Sequence, residues 1–401
     1  MARPHLHVVI AGGGVAGLEA ALALHQLAPD EVAVELVAPE TEFTYRPLAV
    51  TEPFRTGEVK RFPLQALADA TGAVLRRASL AAVDAERKVV RLDDGSDVAY
   101  DALVLAIGAT PRASVDGALT FRGPQDMSAL ADLLTRATIG DVRRLTFALP
   151  SGVTWPLPLY ELALMTQNYL ADQLTERELS IVTPEDRPLA MFGPTATTAL
   201  GELLELRGIG VEHSVTPVEW LDGRLRVVPE RWIDTDAVIA LPRLEGARIL
   251  GVPQDDNGFV ATDEYGWVLG VNDVYAAGDM TQFPLKQGGI ATQQADAVAS
   301  SIAADAGAAV RPQEFRPTLR GLLLTGLAPR FLRADATGAG STIDTEPLWW
   351  PPAKIVGRYL APFLAVHLGL AEDLPPELRT DAVPVDVELD RTDGRPIWSR
   401  V

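Results

Sequence analysis

His7-Val8-Val9-Ile10-Ala11-Gly12-Gly13-Gly14-Val15-Ala16-Gly17 is the stretch from which the rest of the chain can be read. Its first five residues form a short, mostly apolar run, the mark of a strand buried on both faces in a parallel sheet. Three glycines follow at once, then an Ala/Leu-rich helix over Leu18 to Leu27 and a second buried strand over Val32 to Val37. A strand, tight turn, helix and strand in that order open a dinucleotide-binding fold. Gly12 permits the tight turn, Gly14 lets the backbone approach a pyrophosphate, and Gly17 lets helix and strand pack closely. The helix N-terminus adds partial positive charge. An acid for the adenosine ribose is expected about 20 residues on. Ala38-Pro39 stands there, with Glu40 two residues late as the candidate.

The pattern continues along the chain. Leu75 to Val83 and Lys88 to Leu92 alternate like a hairpin, Asp93-Asp94-Gly95-Ser96 reads as a turn, and Leu103 to Ile107 is a further buried strand closed by Gly108. Leu145 to Leu149 begins a second copy: a helix over Pro158 to Leu174, a strand over Leu179 to Thr183, a helix over Thr195 to Arg207, and strands near Val211 and Val238. A third block starts at Asn272 to Asp279 and runs into a helix over Ile290 to Ala306. From Arg316 the character changes, with antiparallel strands expected at Leu319 to Leu324 and Arg330 to Arg333, then a last helix and a Pro-rich acidic tail expected on the surface.

Composition narrows the function classes. A formal net charge of -19 repels phosphate backbones, so nucleic acid is not an expected partner. With no cysteine, no disulfide, thiolate metal site, catalytic thiol or redox dithiol can form. His5, His7, His25, His213 and His367 are scattered without ligand spacing, so no metal is expected. The residues Arg3, Pro4 and His5 lack the layout of a secretory signal, which makes a cytoplasmic location the expectation. The longest apolar candidate, Ile355 to Leu370, is broken by Gly357, Arg358, Pro362 and His367, so no span is expected.

Three segments, Gly12 to Gly17, Tyr100 to Gly108 and Val274 to Asp279, resemble in order the flavin-site signatures of the pyridine nucleotide-disulfide oxidoreductase superfamily. The continuation Phe283 to Ala291, followed by Gln293-Gln294-Ala295-Asp296, looks most like the branch holding sulfide:quinone oxidoreductase, flavocytochrome c sulfide dehydrogenase and type II NADH dehydrogenase. The resemblance implies an α/β fold of two Rossmann-like three-layer domains: an FAD-binding domain over residues 1–120 and 240–315, interrupted by a second nucleotide-binding-like domain over 121–239, then a small C-terminal domain over 316–401. It implies FAD held by Gly12, Gly14 and Gly17, an adenine contact through the Leu80 backbone, and close chain approach at Gly108. Gly278-Asp279 would place a carboxylate on a ribityl hydroxyl. The Gly288-Gly289 turn would aim a helix N-terminus at the flavin pyrimidine edge. Two-electron reduction puts negative charge there, which amide donors and a cation stabilise. In a chain with four lysines, Lys286 is the available cation and the catalytic candidate. Arg46 has two readings, neutralising the pyrophosphate or forming an ordinary surface salt bridge.

The sequence departs from the family where a second glycine fingerprint should hold NAD(P)H. Counting back from Glu161-Leu162-Ala163, the three glycines fall on Thr154, Pro156 and Leu159, with Trp155 between. A Cβ keeps the backbone away from a pyrophosphate and proline removes a donor. Glu185, in the place of the ribose acid, reads as an exposed turn charge. In the last segment, Val356, Tyr359, Leu360, Phe363 and Val366 fall on one side of the expected helix, with Lys354 and Arg358 on another. That face packs internally or rests on a membrane surface. The favoured function is an FAD oxidoreductase passing electrons between a small-molecule donor and an acceptor, a quinone being the candidate, without cysteine chemistry. An NAD(P)H:quinone or NAD(P)H:acceptor reductase and a flavin-bearing scaffold or redox sensor are the alternatives.

Overall fold

In the computed structural model, which describes residues 5–335 and 340–367, seven α-helices occur: α1 Val15–Leu27, α2 Leu64–Thr71, α3 Met127–Ile139, α4 Leu157–Asp172, α5 Gly193–Leu206, α6 Gly288–Asp305 and α7 Leu360–His367. They flank two five-stranded parallel sheets. The first runs Val274–Ala276, Ala102–Leu105, Leu6–Ala11, Val32–Val37, Val74–Arg76. The period of two sends Val8 and Ile10 to a face covered by α1 and α6, and Val9 and Ala11 to a face covered by an antiparallel meander, Leu80–Asp84, Val89–Leu92 and Asp97–Ala99. Both faces are buried, which is why the strand reads as a continuous apolar run.

The second sheet repeats the plan with strands Leu119–Thr120, Ala237–Ala240, Arg144–Ala148, Glu178–Val182 and Ile209–Glu212. Leu145 and Phe147 face α3, α4 and α5, while Ala148 faces a second meander over residues 216–234. The two connections between the sheets pair antiparallel, Ala109–Arg112 against Arg243–Gly246. The expected α/β architecture of two three-layer Rossmann units is what the chain adopts. The antiparallel strands after Arg316 are also present, Leu319–Leu323, Arg330–Ala334 and Thr342–Asp344. Leu319 and Leu323 enter the core of the second unit, and Leu322 packs with Phe331, Trp349 and Val356.

The last segment corrects one expectation. Helix α7 starts at Leu360, five residues later than the apolar run suggested, so Val356 and Tyr359 lie outside it. The cause is a buried carboxylate. Glu19 of α1 accepts the N–H groups of Tyr359 and Leu360 at 2.9 and 2.6 Å, which fixes the chain reversal at the start of α7. Gly357 lets the chain approach, since a Cβ there would lie 2.7 Å from the Glu19 carboxylate. Ile355, Tyr359, Leu360 and Leu364 join the core of the first unit, so the apolar face packs internally, while Val366 is exposed. Residues 368–370 of the expected helix and the acidic tail lie outside the described residues. No described helix is long and apolar enough to cross a membrane.

A Cβ on Gly17 would sit 1.9 Å from the Gly12 carbonyl oxygen, whereas one on Gly14 would meet nothing within 4 Å. Gly17→Ala is therefore expected to lower the melting temperature, at a cost of at least about 1–3 kcal/mol. Gly14→Ala should melt like the parent apoprotein yet lose bound FAD. Thermal unfolding and flavin absorbance on the two variants separate packing from cradle.

Candidate functional site

The five strands of the first sheet run parallel, so their carboxyl ends share one edge, and the α1 turn leaves the end of the central strand there. The N–H groups of Gly14, Val15, Ala16 and Gly17 have no protein acceptor among the described residues. Gly12 stands at φ +122°, and a Cβ there would lie 2.3 Å from the Ala106 carbonyl, so only glycine fits. Gly108, at φ +73°, closes the neighbouring strand and leaves open space where its side chain would be. Four uncommitted amides on a helix N-terminus make an anion cradle. Glu40 is exposed three residues past the second strand. Leu80 begins the first meander strand in register with Leu92, half-buried against that side of the core.

The structure also holds a cavity of about 710 Å³. Its wall brings together Arg46, Asp279, Lys286 and Gly288 from the first unit with residues 152–155 and Glu161 of the second and Lys354 from the C-terminal segment. Gly278, at φ +81°, donates its N–H to Gln294 and so sets Asp279 at the cavity edge. The Asp279 carboxylate makes no protein hydrogen bond among the described residues, and burial raises its pKa against the pull of Lys286 and Arg46. Lys286 donates to the Thr281 carbonyl and lies 4.0 Å from the centroid of Phe259. Burial lowers its pKa to about 8, opposed by Asp279 and Asp255. The Gln287 side chain caps α6 by accepting from Ile290 at 2.9 Å, leaving the Gly288 and Gly289 amides without protein acceptors. Arg46 opens a 3₁₀ turn, is exposed, and makes no ion pair among the described residues. The sequence-selected residues Gly288, Asp279, Lys286 and Arg46 thus meet at one cavity. Gly12, Gly14, Gly17, Gly108, Glu40 and Leu80 are not in its wall.

Sequence reasoning missed the strongest electrostatic contact of the site. Lys354, expected on a polar helix face, is instead 7 % exposed, and its Nζ lies 2.6 Å from Glu161, which is fully buried. Lys354 also donates to the Pro47 carbonyl at 3.2 Å, and Glu161 accepts the Leu324 N–H at 2.8 Å. Burial raises the Glu161 pKa and Lys354 draws it down. Glu185 is a second correction. It is half-buried, accepting from Tyr160 Oη at 2.6 Å and Thr183 Oγ1 at 3.0 Å. Burial pushes its carboxyl up to about 7. The tyrosine on the facing helix drew it inward, and nothing in the local sequence signals that pairing.

An open glycine cradle, together with a cavity edged by a carboxylate without a protein partner among the described residues, a cation and the start of α6, suits a flavin-dependent oxidoreductase. Fit to FAD rests on those uncommitted groups: the amides suit a pyrophosphate and Asp279 suits a hydroxyl. Residues 6–146 and 160–297 match the pyridine nucleotide-disulphide oxidoreductase family, and the chain belongs to it. The enzyme is an FAD-dependent oxidoreductase. The match is interrupted between 146 and 160, across the loop that precedes α4. The chain is 26 % identical over 346 residues to rubredoxin-NAD(+) reductase of Pseudomonas putida, covering 80 % of this chain and 86 % of that protein. It is 29 % identical over 332 residues to the ferredoxin reductase component of chlorobenzene dioxygenase from Cupriavidus sp. (strain PS12), covering 76 % of each. In fold it is similar to sulfide:quinone oxidoreductase of Aquifex aeolicus, with a TM-score of 0.75 at 18 % identity, covering 85 % of this chain and 87 % of that one.

Two outcomes are expected. Lys354→Met alone leaves a buried carboxylate unpaired and costs about 3–5 kcal/mol, while Glu161→Leu with Lys354→Met recovers most of it, as urea unfolding will measure. Glu185 has a folded pKa above its unfolded value, so the stability it contributes is full below about 4.5 and is lost as pH rises through about 7. Glu185→Gln should therefore gain on the parent protein between those limits, read as a melting-temperature difference that widens from about pH 4.5 to about 7 and is level above it.

Proposed function

We propose that this enzyme moves electrons from a small organic donor to a quinone through non-covalent FAD, with no covalent protein intermediate. FAD, when bound, supplies two-electron acceptance and one- or two-electron release. The observation that carries the reading is the meeting of Asp279, Lys286 and Gly288, the first residue of α6 with its amide uncommitted, along one cavity wall. Asp279 would accept a hydrogen bond from a ribityl hydroxyl of the bound cofactor. The Lys286 ammonium and the amide of Gly288 would supply positive charge to the pyrimidine edge, where reduction adds negative charge. A lysine lowered to about 8 is charged in most molecules at pH 7 and can also yield a proton there. Ala49, Val50, Phe121, Leu157 and Leu241 give the cavity an apolar side that suits a quinone ring and excludes water. No cysteine stands in the chain, so a thiolate route is closed. The names of the curated relatives support a second reading, a pyridine-nucleotide-fed reductase of a small carrier protein.

The test begins with holoenzyme reduced by dithionite under anaerobic conditions and mixed with water-soluble quinone analogues. Reoxidation that saturates with quinone concentration supports the proposal, and reoxidation by a ferredoxin or rubredoxin alone overturns the choice of acceptor. Lys286→Met is expected to retain FAD while lowering the flavin midpoint potential, about 30 mV for each 1.4 kcal/mol of lost stabilisation. An unchanged potential removes Lys286 from the role assigned to it.

A further inference from the structure

We propose that the second Rossmann unit carries no pyridine-dinucleotide site, and that its loop 149–156 is a fixed wall of the flavin cavity. The electron donor therefore reaches the flavin as a compact molecule without a nucleotide handle. This rests on the flavin assignment and deepens it by naming the class of donor.

A dinucleotide needs three things from such a unit: amides for the pyrophosphate, an acid for the ribose, and room for the adenosine. Each is taken here by a different contact. In the first unit, residues 12–14 alone separate strand from helix, and four amides at the helix start are free. In the second, residues 149–156 intervene. At the start of α4, Pro156 and Pro158 have no N–H, and the Leu159 N–H is spent on the Pro156 carbonyl at 2.9 Å, so among residues 156–159, the counterparts of the four in α1, only Leu157 has an amide left. One amide is not an anion cradle.

The ribose position is also filled. Glu185 stands just past the strand Glu178–Val182, where the acid belongs, but both Tyr160 and Thr183 donate to its Oε2. Freeing it would strip a buried tyrosine hydroxyl of its partner. Beyond it, Phe192 is fully buried, 5.9 Å from the Trp155 ring. The C-terminal strand closes on the same ring so tightly that a Cβ on Gly321 would lie 2.7 Å from it. Ser341 donates to the Phe192 carbonyl and fastens that strap from the other side.

The loop is held on its inner side as well. Thr154 donates to the Pro284 carbonyl, in the segment that carries Lys286. Swinging the loop aside to admit a nicotinamide would break this bond and pull Trp155 from its tilted contact with Phe192. The wall and the flavin-tuning lysine are therefore parts of one rigid edge.

The experiment uses the FAD-loaded full chain under anaerobic conditions in stopped flow. NADH and NADPH are each raised to about 1 mM, the upper end of ordinary KM values, and dithionite is the control for a reducible flavin. The expected result is full bleaching by dithionite and no saturable bleaching by either nucleotide. A slow rate rising linearly with nucleotide concentration is collision with the open flavin edge and supports the proposal equally. Saturable bleaching within seconds by either nucleotide overturns it, as does quenching of NADH fluorescence that fits a sub-millimolar dissociation constant. Flavin absent from the purified protein, and not taken up on reconstitution, counts against the flavin assignment and not against the wall. Pro156→Gly with Pro158→Ala, which restores two amides, is expected to leave NADH reduction unsaturated, because Glu185 and Phe192 still fill the other two positions. Saturable reduction in that variant overturns the claim that three separate contacts close the groove.

Discussion

The contact between Lys354 and Glu161 is the constraint on which the geometry of the site depends. It joins residues 193 positions apart and ties three stretches of chain around one cavity: α4 through Glu161, the Pro47 turn through its carbonyl, and the C-terminal segment through Lys354 itself. Two charges taken from water cost several kcal/mol each, and mutual attraction offsets that only when further hydrogen bonds complete the geometry. Here the Leu324 amide and the Pro47 carbonyl do so. The arrangement adds little net stability compared with an apolar substitute, but it admits one mutual placement of the two units. A cavity made by two domains and a strap keeps its shape only if something forbids sliding, and a directional buried pair does this where apolar packing does not.

Much of the first unit is legible in the sequence because its signals are local. A strand buried on both faces needs a continuous apolar run, and a turn under 2.3 Å of clearance needs glycine, so His7 to Gly17 can be read without any partner. Asp279, Lys286 and the Gly288-Gly289 turn lie within eleven residues of one another and are found for the same reason. What could not be read is long-range. Glu161 looks like part of a helix motif, Lys354 looks like a surface charge, and only the fold places them at 2.6 Å. Glu185 was misjudged because the hydroxyl that draws it inward sits on another element. The start of α7 was misplaced because an apolar stretch fits a helix or a buried extended segment equally well, and a carboxylate on α1 decides between them.

The altered loop before α4 shows how a family fold is reused. The strand-helix-strand frame of the second unit persists, since its core depends on Leu145, Phe147, Leu159 and Leu162, all buried. On the reading proposed above, the surface at the start of α4 is packing surface, with prolines at the helix start and aromatic rings beside it. Frame and surface are separable because the first is set by apolar period and the second by a handful of loop residues.

Glu19 adds a coupling between the two ends of the chain. The helix whose first turn holds the cofactor cradle carries, one turn further along, the carboxylate on which α7 is hung. A neighbouring carboxyl, Asp296 on α6, is pushed well above its usual range by burial and by Glu19 itself. Shortening the protein ahead of residue 359 would leave two acids facing one another without the amides of Tyr359 and Leu360, one of them in the helix that begins at the glycine turn. A truncation that reaches this point is thus felt some three hundred and forty positions upstream in the chain.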